Sequence, residues 1–304
     1  MINNNQYAIF FTDYLQQQDY SKTTVKGYTT STELFLNWCD LKEYDVLTMD
    51  YKSCLEYVQK FQKGKGKRIL QNTIKNYMGA IKLFFNFLVD EDFRMSNPIE
   101  NLNIRGVRKT IHHNLFEFEE LEDFYYSYQT EQREFPNCPS VAIRNKVIIG
   151  FMVYQGMNST ALKSLKIEHI LLNKGKVYIP STRKTNSRTL EFKSNQILPL
   201  VQYLKKHRAI LKEKISIHTD ALFPIKNDRF FISHTICKEL RKFNHKLTNI
   251  KQIRASVITH WLNHYNIRET QYMAGHRYIS STERYVQENL ESLQEVIESL
   301  HPIS

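Results

Sequence analysis

Hydrophobic positions in the first hundred residues recur at the spacing of α-helices. Ser21 can cap one helix, and a second helical pattern runs from about Asn72 to Val89. The first apolar stripe is Val25, Tyr28, Leu34, Phe35 and Trp38, and the second is Ile74, Tyr77, Met78, Ile81, Phe84, Phe85 and Leu88. Pro98 ends this block because the residue before a proline is kept out of the helical conformation. The pattern predicts a small helical domain over residues 1–100.

The pattern changes after residue 100. Residues 101–114 are polar and basic with little periodicity, which predicts a linker. An acidic helix near 117–128 and an apolar helix over 141–156 follow, and helices return from Leu198 onward. Between them, residues 176–180 and 189–193 alternate apolar and polar positions, as half-buried strands do. The segment 181–188 would be the hairpin loop, so residues 115–304 are expected to form a mostly helical domain with a small antiparallel sheet.

Composition supports a mainly α fold, since 304 residues include only 9 glycines and 7 prolines. The net charge of +11 favours a polyanionic partner. Residues 1–100 carry equal numbers of basic and acidic side chains, so the whole excess lies in residues 101–304. The first block still holds a basic run with no acidic residue inside it, consisting of Lys60, Lys63, Lys65, Lys67, Arg68, Lys75 and Lys82. Such a run is either a solvated face or a strip that follows DNA phosphates.

Cysteine usage and hydropathy narrow the protein class. The four cysteines, Cys39, Cys54, Cys138 and Cys237, are far apart and form no CxxC pair, which indicates reduced thiols rather than a zinc site or disulfide framework. The sequence shows no signal-peptide pattern and no apolar run approaching ~18 residues. We therefore expect a soluble cytoplasmic protein that uses no metal.

Candidate chemistry concentrates in the last quarter of the chain. A helix predicted over about 249–265 turns its apolar side, including Trp261 and Tyr265, toward the core and places Lys251 and Arg254 on one face near its start. Gly275 and His276 follow, and Ser280 with Glu283 forms a capping-box pattern that would begin another helix. Tyr285 would lie in the first two turns of that helix. This arrangement can hold a phenol near a histidine and two cations.

Such a group of residues suits attack on a phosphodiester. A phenol has an ordinary pKa of about 10, so it needs a positively charged site to lose its proton. Negative charge develops on the phosphoryl oxygens in the transition state, and an arginine and a histidine can stabilise it. The departing 5′ oxygen needs a proton, which a lysine on a mobile loop can deliver. The covalent link conserves the energy of the broken bond, so no cofactor is required.

These residues resemble the tyrosine recombinases, also called the phage integrase family. The matching stretches, in order, are Arg144–Gly150 followed by Gln155–Met157, the loop residue Lys184, Lys251–Arg254, Gly275–His276 and Ser281–Tyr285. The resemblance also covers the N-terminal half. It implies a C-shaped clamp on duplex DNA, made of a helical core-binding (SAM-like) DNA-binding domain over 1–100, a linker over 101–114 and a catalytic domain over 115–304 with a C-terminal tail helix.

The resemblance also implies roles for individual residues. Tyr285 would be the nucleophile that forms a 3′-phosphotyrosyl bond, Arg254 and His276 would bind the scissile phosphate, and Lys184 would be the general acid. Lys251 stands where the family usually has histidine and can still donate to phosphate. Arg183 and Arg188, on the predicted hairpin loop, are expected to contact DNA with the basic run of the first block. The partners implied are double-stranded DNA, a homotetramer on paired sites and an accessory protein or second recombinase, for a mobile element in the bacterial nucleoid.

Two positions depart from the family pattern. Asn158 stands where the family has its first catalytic arginine, and Ala161 stands where it usually has a supporting carboxylate. Asparagine brings no charge and no bidentate fork, although Asn158 can also cap the helix that follows it. We hypothesise that Arg183, Arg188 or Lys163 supplies the missing cation.

Other functions remain open from the sequence. A type IB topoisomerase shares the chemistry without needing paired sites, and Asn158 leaves room for a catalytically weakened or non-catalytic DNA-binding paralogue. A metal-dependent nuclease is disfavoured by the lack of a clustered Asp/Glu/His set. The tail carries an apolar stripe that would pack on its own domain or on a neighbouring protomer, made of Leu290, Leu293, Val296, Ile297 and Leu300.

Overall fold

The computed structural model describes residues 4–63, 69–105, 114–130, 139–216, 219–225 and 232–286. The chain divides into two compact units, Met1–Lys109 and Thr110–Ser304. Each unit has its own hydrophobic core. In the described ranges, no helix has the length and apolar character needed to cross a membrane.

The first unit is built from helices. They are α1 (Asn4–Gln17), α2 (Lys22–Lys42), α3 (Tyr51–Lys63) and α4 (Gln71–Asp90). The Ser21 hydroxyl accepts a hydrogen bond from the backbone N–H of Thr24, so α2 begins at its predicted cap. The patterns that predicted α2 and α4 are confirmed. Leu34 is wrong as a core position, since 50% of its surface is exposed. The buried face of α2 is centred on Phe35, Trp38 and Cys39, and Leu34 points away from it.

The end of the first unit extends into the predicted linker. Leu102 and Ile104 pack against the core of the first unit, beside the buried Ile99. The Asn97 side chain accepts a hydrogen bond from the Ile99 N–H at 2.9 Å and donates to the Lys82 carbonyl at 3.0 Å. These contacts bind the segment after α4 to its own unit.

The second unit is mostly helical with a small sheet. Its helices are α5 (Phe118–Tyr126), α6 (Pro139–Tyr154), α7 (Ser159–Ser164), α8 (Ser194–Gln202), α9 (Arg208–Ile215), α10 (Ile232–Leu240), α11 (Ile250–His264) and α12 (Ile267–Ala274). The strands β1 (Ile170–Leu171), β2 (Lys176–Ile179) and β3 (Arg188–Glu191) form an antiparallel sheet in that order. Helix α6 is buried on nearly every side and passes through the core. The predicted fold class, mainly α with a small antiparallel sheet, is confirmed.

Three predicted local features of this unit are wrong. Arg188 belongs to β3, where it pairs with Ile179, and not to the hairpin loop, because the strand begins one residue earlier than its alternating pattern indicated. Tyr265 is exposed rather than buried, because α11 ends at His264. Ser280 is already helical in the segment 280–286, so it is not an N-cap; the Ile279 carbonyl accepts the first helical hydrogen bonds instead.

Candidate active site

Arg254 is the central cation of the site. It lies in the second turn of α11, which begins where the Asn249 side chain accepts hydrogen bonds from the N–H groups of Lys251 and Gln252. The Arg254 guanidinium donates to the carbonyl of Gly156 and, at 2.7 Å, to that of Ala274. Burial lowers its pKa, and the nearby Tyr285 opposes that shift. The arginine is therefore held rigidly between the end of α6 and the end of α12.

His276 lies directly against Arg254. Its Nε2 is 3.3 Å from Nη2 of Arg254, and its Nδ1 is 2.9 Å from the hydroxyl of Thr282, which is fully buried. Because a guanidinium can only donate, Nε2 accepts and Nδ1 carries the proton. Burial, followed by the charges of Arg254, Arg188 and Arg284, lowers the pKa of His276 to about 4. The structure thus holds His276 neutral, with its position fixed on both sides.

Tyr285 stacks on this histidine. The two rings have centroids 5.9 Å apart and an interplanar angle of 14°. Tyr285 is half-buried and packs against the edge of the core of the second unit. The helical segment 280–286 carries both Tyr285 and Thr282, so one turn of helix positions the phenol and the hydroxyl that orients His276. The phenol, the imidazole and the guanidinium therefore form one contiguous group.

The hairpin loop that carries Lys184 is bound to the His276 segment through its backbone. The backbone N–H of Asn186 donates to the Gly275 carbonyl at 3.0 Å, and Thr185 forms an isolated antiparallel bridge with His276. Lys184 precedes the bridging residue and has an exposed side chain. The backbone of the loop is thus bound to the histidine segment, while the ammonium group extends into solvent.

Asn158 and Lys251 face the same cavity as Arg254. This cavity has a volume of about 950 Å³ and lies between the starts of α7 and α11. The Asn158 Oδ1 accepts a hydrogen bond from the Ala161 N–H at 2.8 Å, so this side chain caps α7 and presents a neutral amide to the cavity. Lys251 is exposed in the first turn of α11. The cavity also has basic residues, Lys238 and Arg241, in its wall.

The residues predicted to contact DNA differ in their exposure to solvent. Lys75 and Arg183 are exposed, whereas the Lys82 ammonium donates to the Glu100 carbonyl. Arg188 is buried. Other predicted positions lie outside what the structure describes: the side chain of Lys63, the residues Lys65, Lys67 and Arg68, and the apolar stripe of the C-terminal tail.

Two residues of the matching stretches have supporting roles that the sequence analysis did not assign. Thr282 orients His276, and the only signal for it was its place inside the matching stretch that ends at Tyr285. Gly275 ends α12 in the left-handed conformation with φ of 68°, and the guanidinium of Arg188 packs where its Cβ would be. Across the described segments, no three His, Cys, Asp or Glu side chains come together as a metal site.

The lowered pKa of His276 predicts an acid-dependent loss of stability. The unfolded chain binds the proton near pH 6.5 and the folded chain only near pH 4, so stability is full above 6.5 and declines between these values. Between pH 7.5 and pH 5 this histidine should account for about 2 kcal/mol of that loss. Urea unfolding of wild type and His276→Gln at both pH values measures the difference. The control variant is His245→Gln, at an exposed histidine. Equal acid dependence of wild type and His276→Gln would contradict the burial of a neutral His276.

Replacing Gly275 with alanine should disturb the site more than the backbone conformation alone explains. An added Cβ would lie 2.2 Å from Nη1 of Arg188, at a residue with φ of 68°. Gly175 is a matched control, since its φ of 61° is similar and nothing lies within 4 Å of its Cβ position. We expect Gly175→Ala to lower the free energy of unfolding by about 1 kcal/mol and Gly275→Ala by about 2–4 kcal/mol. Equal losses in thermal or urea unfolding would show that Arg188 does not pack there.

Comparisons with known proteins agree with this geometry. The Phage integrase family model matches residues 117–292, and the model of the phage integrase N-terminal SAM-like domain matches residues 10–95. Among curated relatives, tyrosine recombinase XerC of Bacillus pumilus is 26% identical, over 99% of this chain and 98% of its own length. A tyrosine recombinase of Thermosipho africanus is 23% identical, over 91% and 93%.

Solved structures share the fold. The XerH site-specific recombinase bound to palindromic difH substrate, in its post-cleavage complex, has a TM-score of 0.69 and 18% identity, covering 94% of this chain and 83% of that one. A lambda integrase dimer bound to a core site has a TM-score of 0.64 and 10% identity, covering 93% and 95%. The family model spans more than half of the chain, and a histidine, an arginine and a tyrosine meet within the matched region. The chain belongs to the phage integrase family, that of the tyrosine recombinases.

Proposed function

We propose that this protein is a site-specific recombinase that breaks and rejoins DNA through a 3′-phosphotyrosine bond at Tyr285. The observation that carries the proposal is the contact chain from the Tyr285 ring, stacked on His276, to Arg254, which is 3.3 Å from the His276 imidazole. The family membership of the chain and the DNA complexes of similar folds support it.

The reaction is a transesterification. The Tyr285 oxygen attacks the scissile phosphorus, a P–O bond to tyrosine forms, and the bond from phosphorus to the 5′ oxygen breaks. Lys184 gives a proton to that oxygen and releases a 5′ hydroxyl. Attack by a 5′ hydroxyl from the partner strand reverses these steps and frees Tyr285. No oxidant, reductant or nucleotide is consumed.

Each remaining residue of the site has a role in this proposal. Arg254 stabilises the negative charge of the phosphoryl oxygens, and its two carbonyl partners fix it before DNA arrives. Neutral His276 can take the proton of the attacking Tyr285 hydroxyl at Nε2, once phosphate replaces its contact with Arg254, and can return it when Tyr285 is released. Lys251 and the Asn158 amide, in the wall of the cavity they share with Arg254, donate hydrogen bonds to the scissile phosphate.

The wider assembly is also part of the proposal. Residues 1–100 would form the core-binding domain and 115–304 the catalytic domain, acting in the cytoplasm on duplex DNA of a mobile element. Exposed Lys75 and Arg183 would contact phosphates. Strand exchange between two paired sites needs four protomers, so we expect a homotetramer on DNA, with an accessory protein or second recombinase where sites are asymmetric.

A nicked suicide substrate tests the reaction. Duplex DNA from the genomic flanks of the gene, nicked just 3′ of the scissile phosphate, loses its short 5′-hydroxyl fragment after cleavage and traps the covalent complex. We expect a denaturation-resistant adduct whose DNA-linked peptide contains Tyr285, formed equally with and without EDTA. Adduct on any plasmid with relaxation of unpaired sites would instead indicate a topoisomerase, and binding without adduct would indicate a non-catalytic paralogue.

A further inference from the structure

A buried arginine, Arg188, lies next to the proposed catalytic residues. Arg188 in β3 has only 2% of its surface exposed. Neither its Nε nor its Nη1 has a hydrogen-bond partner within the described part of the chain. A buried charge normally requires pairing or hydrogen bonding. The structure therefore keeps a cation here at a cost in stability.

The position of Arg188 relates it to the phosphate-binding groups. Its guanidinium packs against Gly275, so closely that a Cβ at that residue would be 2.2 Å from Nη1. Gly275 precedes His276 in sequence. Burial, followed by the charge of Arg254, lowers the pKa of Arg188 to about 9, while Tyr272 opposes the shift. Arg188 thus lies behind the His276 segment and shares its electrostatic environment with Arg254.

The site formed by Arg254 and His276 lacks a positive charge at position 158. Asn158 caps α7 with a neutral amide, and Ala161 offers no carboxylate. The other candidate cations have different surroundings, since Arg183 on the hairpin loop and Lys163 in the last turn of α7 are both exposed to solvent. A buried cation acts through a lower dielectric than an exposed one and is screened less by salt.

We propose that Arg188 supplies the positive charge missing at position 158, stabilising the phosphoryl oxygens through space from behind Gly275 and His276. It is a positioning and electrostatic residue, because its guanidinium does not face the cavity where Asn158, Lys251 and Arg254 meet. Phosphate bound at Arg254 and His276 would give the buried guanidinium the counter-charge that the described protein groups do not. The inference rests on the proposed recombinase function.

The test compares single-turnover cleavage of the suicide substrate by wild type, Arg188→Met and Arg188→Lys. Removing the charge should slow cleavage by about 10²-fold, and lysine should recover at least about a tenth of the wild-type rate. Arg208→Met is the control for loss of a buried guanidinium, because Arg208 is buried and donates to the carbonyls of Thr219 and Ala221. It should cleave at the wild-type rate per folded molecule.

A substrate with an uncharged phosphoryl group distinguishes an electrostatic role of Arg188 from a packing role. With methylphosphonate at the scissile position, the phosphoryl group carries no charge, so the gap between wild type and Arg188→Met should shrink to within about threefold. The same gap on both substrates, or no gap on either, overturns the inference while leaving the recombinase function in place. Failure of wild type to form any adduct would instead reject the function itself.

A double substitution asks whether the two positions are coupled. Asn158→Arg restores the missing charge, so it should recover most of the cleavage lost in Arg188→Met and should speed cleavage by Arg188→Met more than it changes cleavage by the wild type. Circular dichroism and urea unfolding of each variant confirm that the rates compare folded proteins. Strictly additive effects of the two substitutions on the cleavage rate would also overturn the inference.

Discussion

Tyr285→Phe is expected to abolish the covalent DNA adduct and to leave DNA affinity within about twofold of wild type. The substitution removes only the oxygen that would attack phosphorus, and loss of a nucleophile typically costs about 10⁴-fold or more in rate. The phenylalanine ring can keep the stack on His276, whose centroid lies 5.9 Å away. Adduct formation is read on denaturing gels and binding by gel shift on the same substrate.

Tyr278→Phe is the matched control for this experiment. Tyr278 lies in the turn before the segment 280–286, and its side chain is well exposed. It should retain wild-type adduct yield, because its hydroxyl has no part in the proposed chemistry. If Tyr285→Phe still formed the adduct, or if the linked peptide contained another tyrosine, Tyr285 could not be the nucleophile.

The sequence predicted those parts of the fold that depend on local pattern. Ser21 and Asn249 begin helices because their side chains can accept backbone hydrogen bonds, and that capacity is visible in a single residue. The predicted burial of Leu34 and Tyr265 was wrong for a related reason. Helical spacing indicates which residues share a face, but the width of the buried face and the end of the helix depend on the elements packed against it.

The same difference between local and long-range features applies to the candidate site. Arg254, His276 and Tyr285 were found from spacing and from resemblance, and the structure brings them together. The burial of Arg188 could not be predicted, because it depends on β3 bringing this residue against Gly275 at the end of α12, far away in sequence. A basic residue near a loop looks the same in sequence whether it faces DNA or the interior.

Arg254→Lys is expected to reduce single-turnover cleavage by about 10²–10³-fold and to lower stability by about 1–3 kcal/mol. The guanidinium donates to the carbonyls of Gly156 and Ala274 and approaches Nε2 of His276. One ammonium group cannot reproduce this planar fork, so lysine should leave a buried carbonyl unpaired and release His276. The charge remains, and DNA affinity should therefore fall by less than about tenfold.

Arg94→Lys separates the two effects of that substitution. Arg94 lies in the first unit and donates to the carbonyls of Val46, Met49 and Ser96, so its lysine variant also loses a guanidinium that binds several carbonyls. It should lose a similar amount of stability in urea unfolding, yet cleave at the wild-type rate when folded. Wild-type cleavage by Arg254→Lys would mean that the geometry of the guanidinium has no part in the reaction. A cleavage loss shared by both variants would trace it to weakened folding instead. We expect slow cleavage from Arg254→Lys and not from Arg94→Lys, because Arg254 contacts the histidine on which Tyr285 stacks.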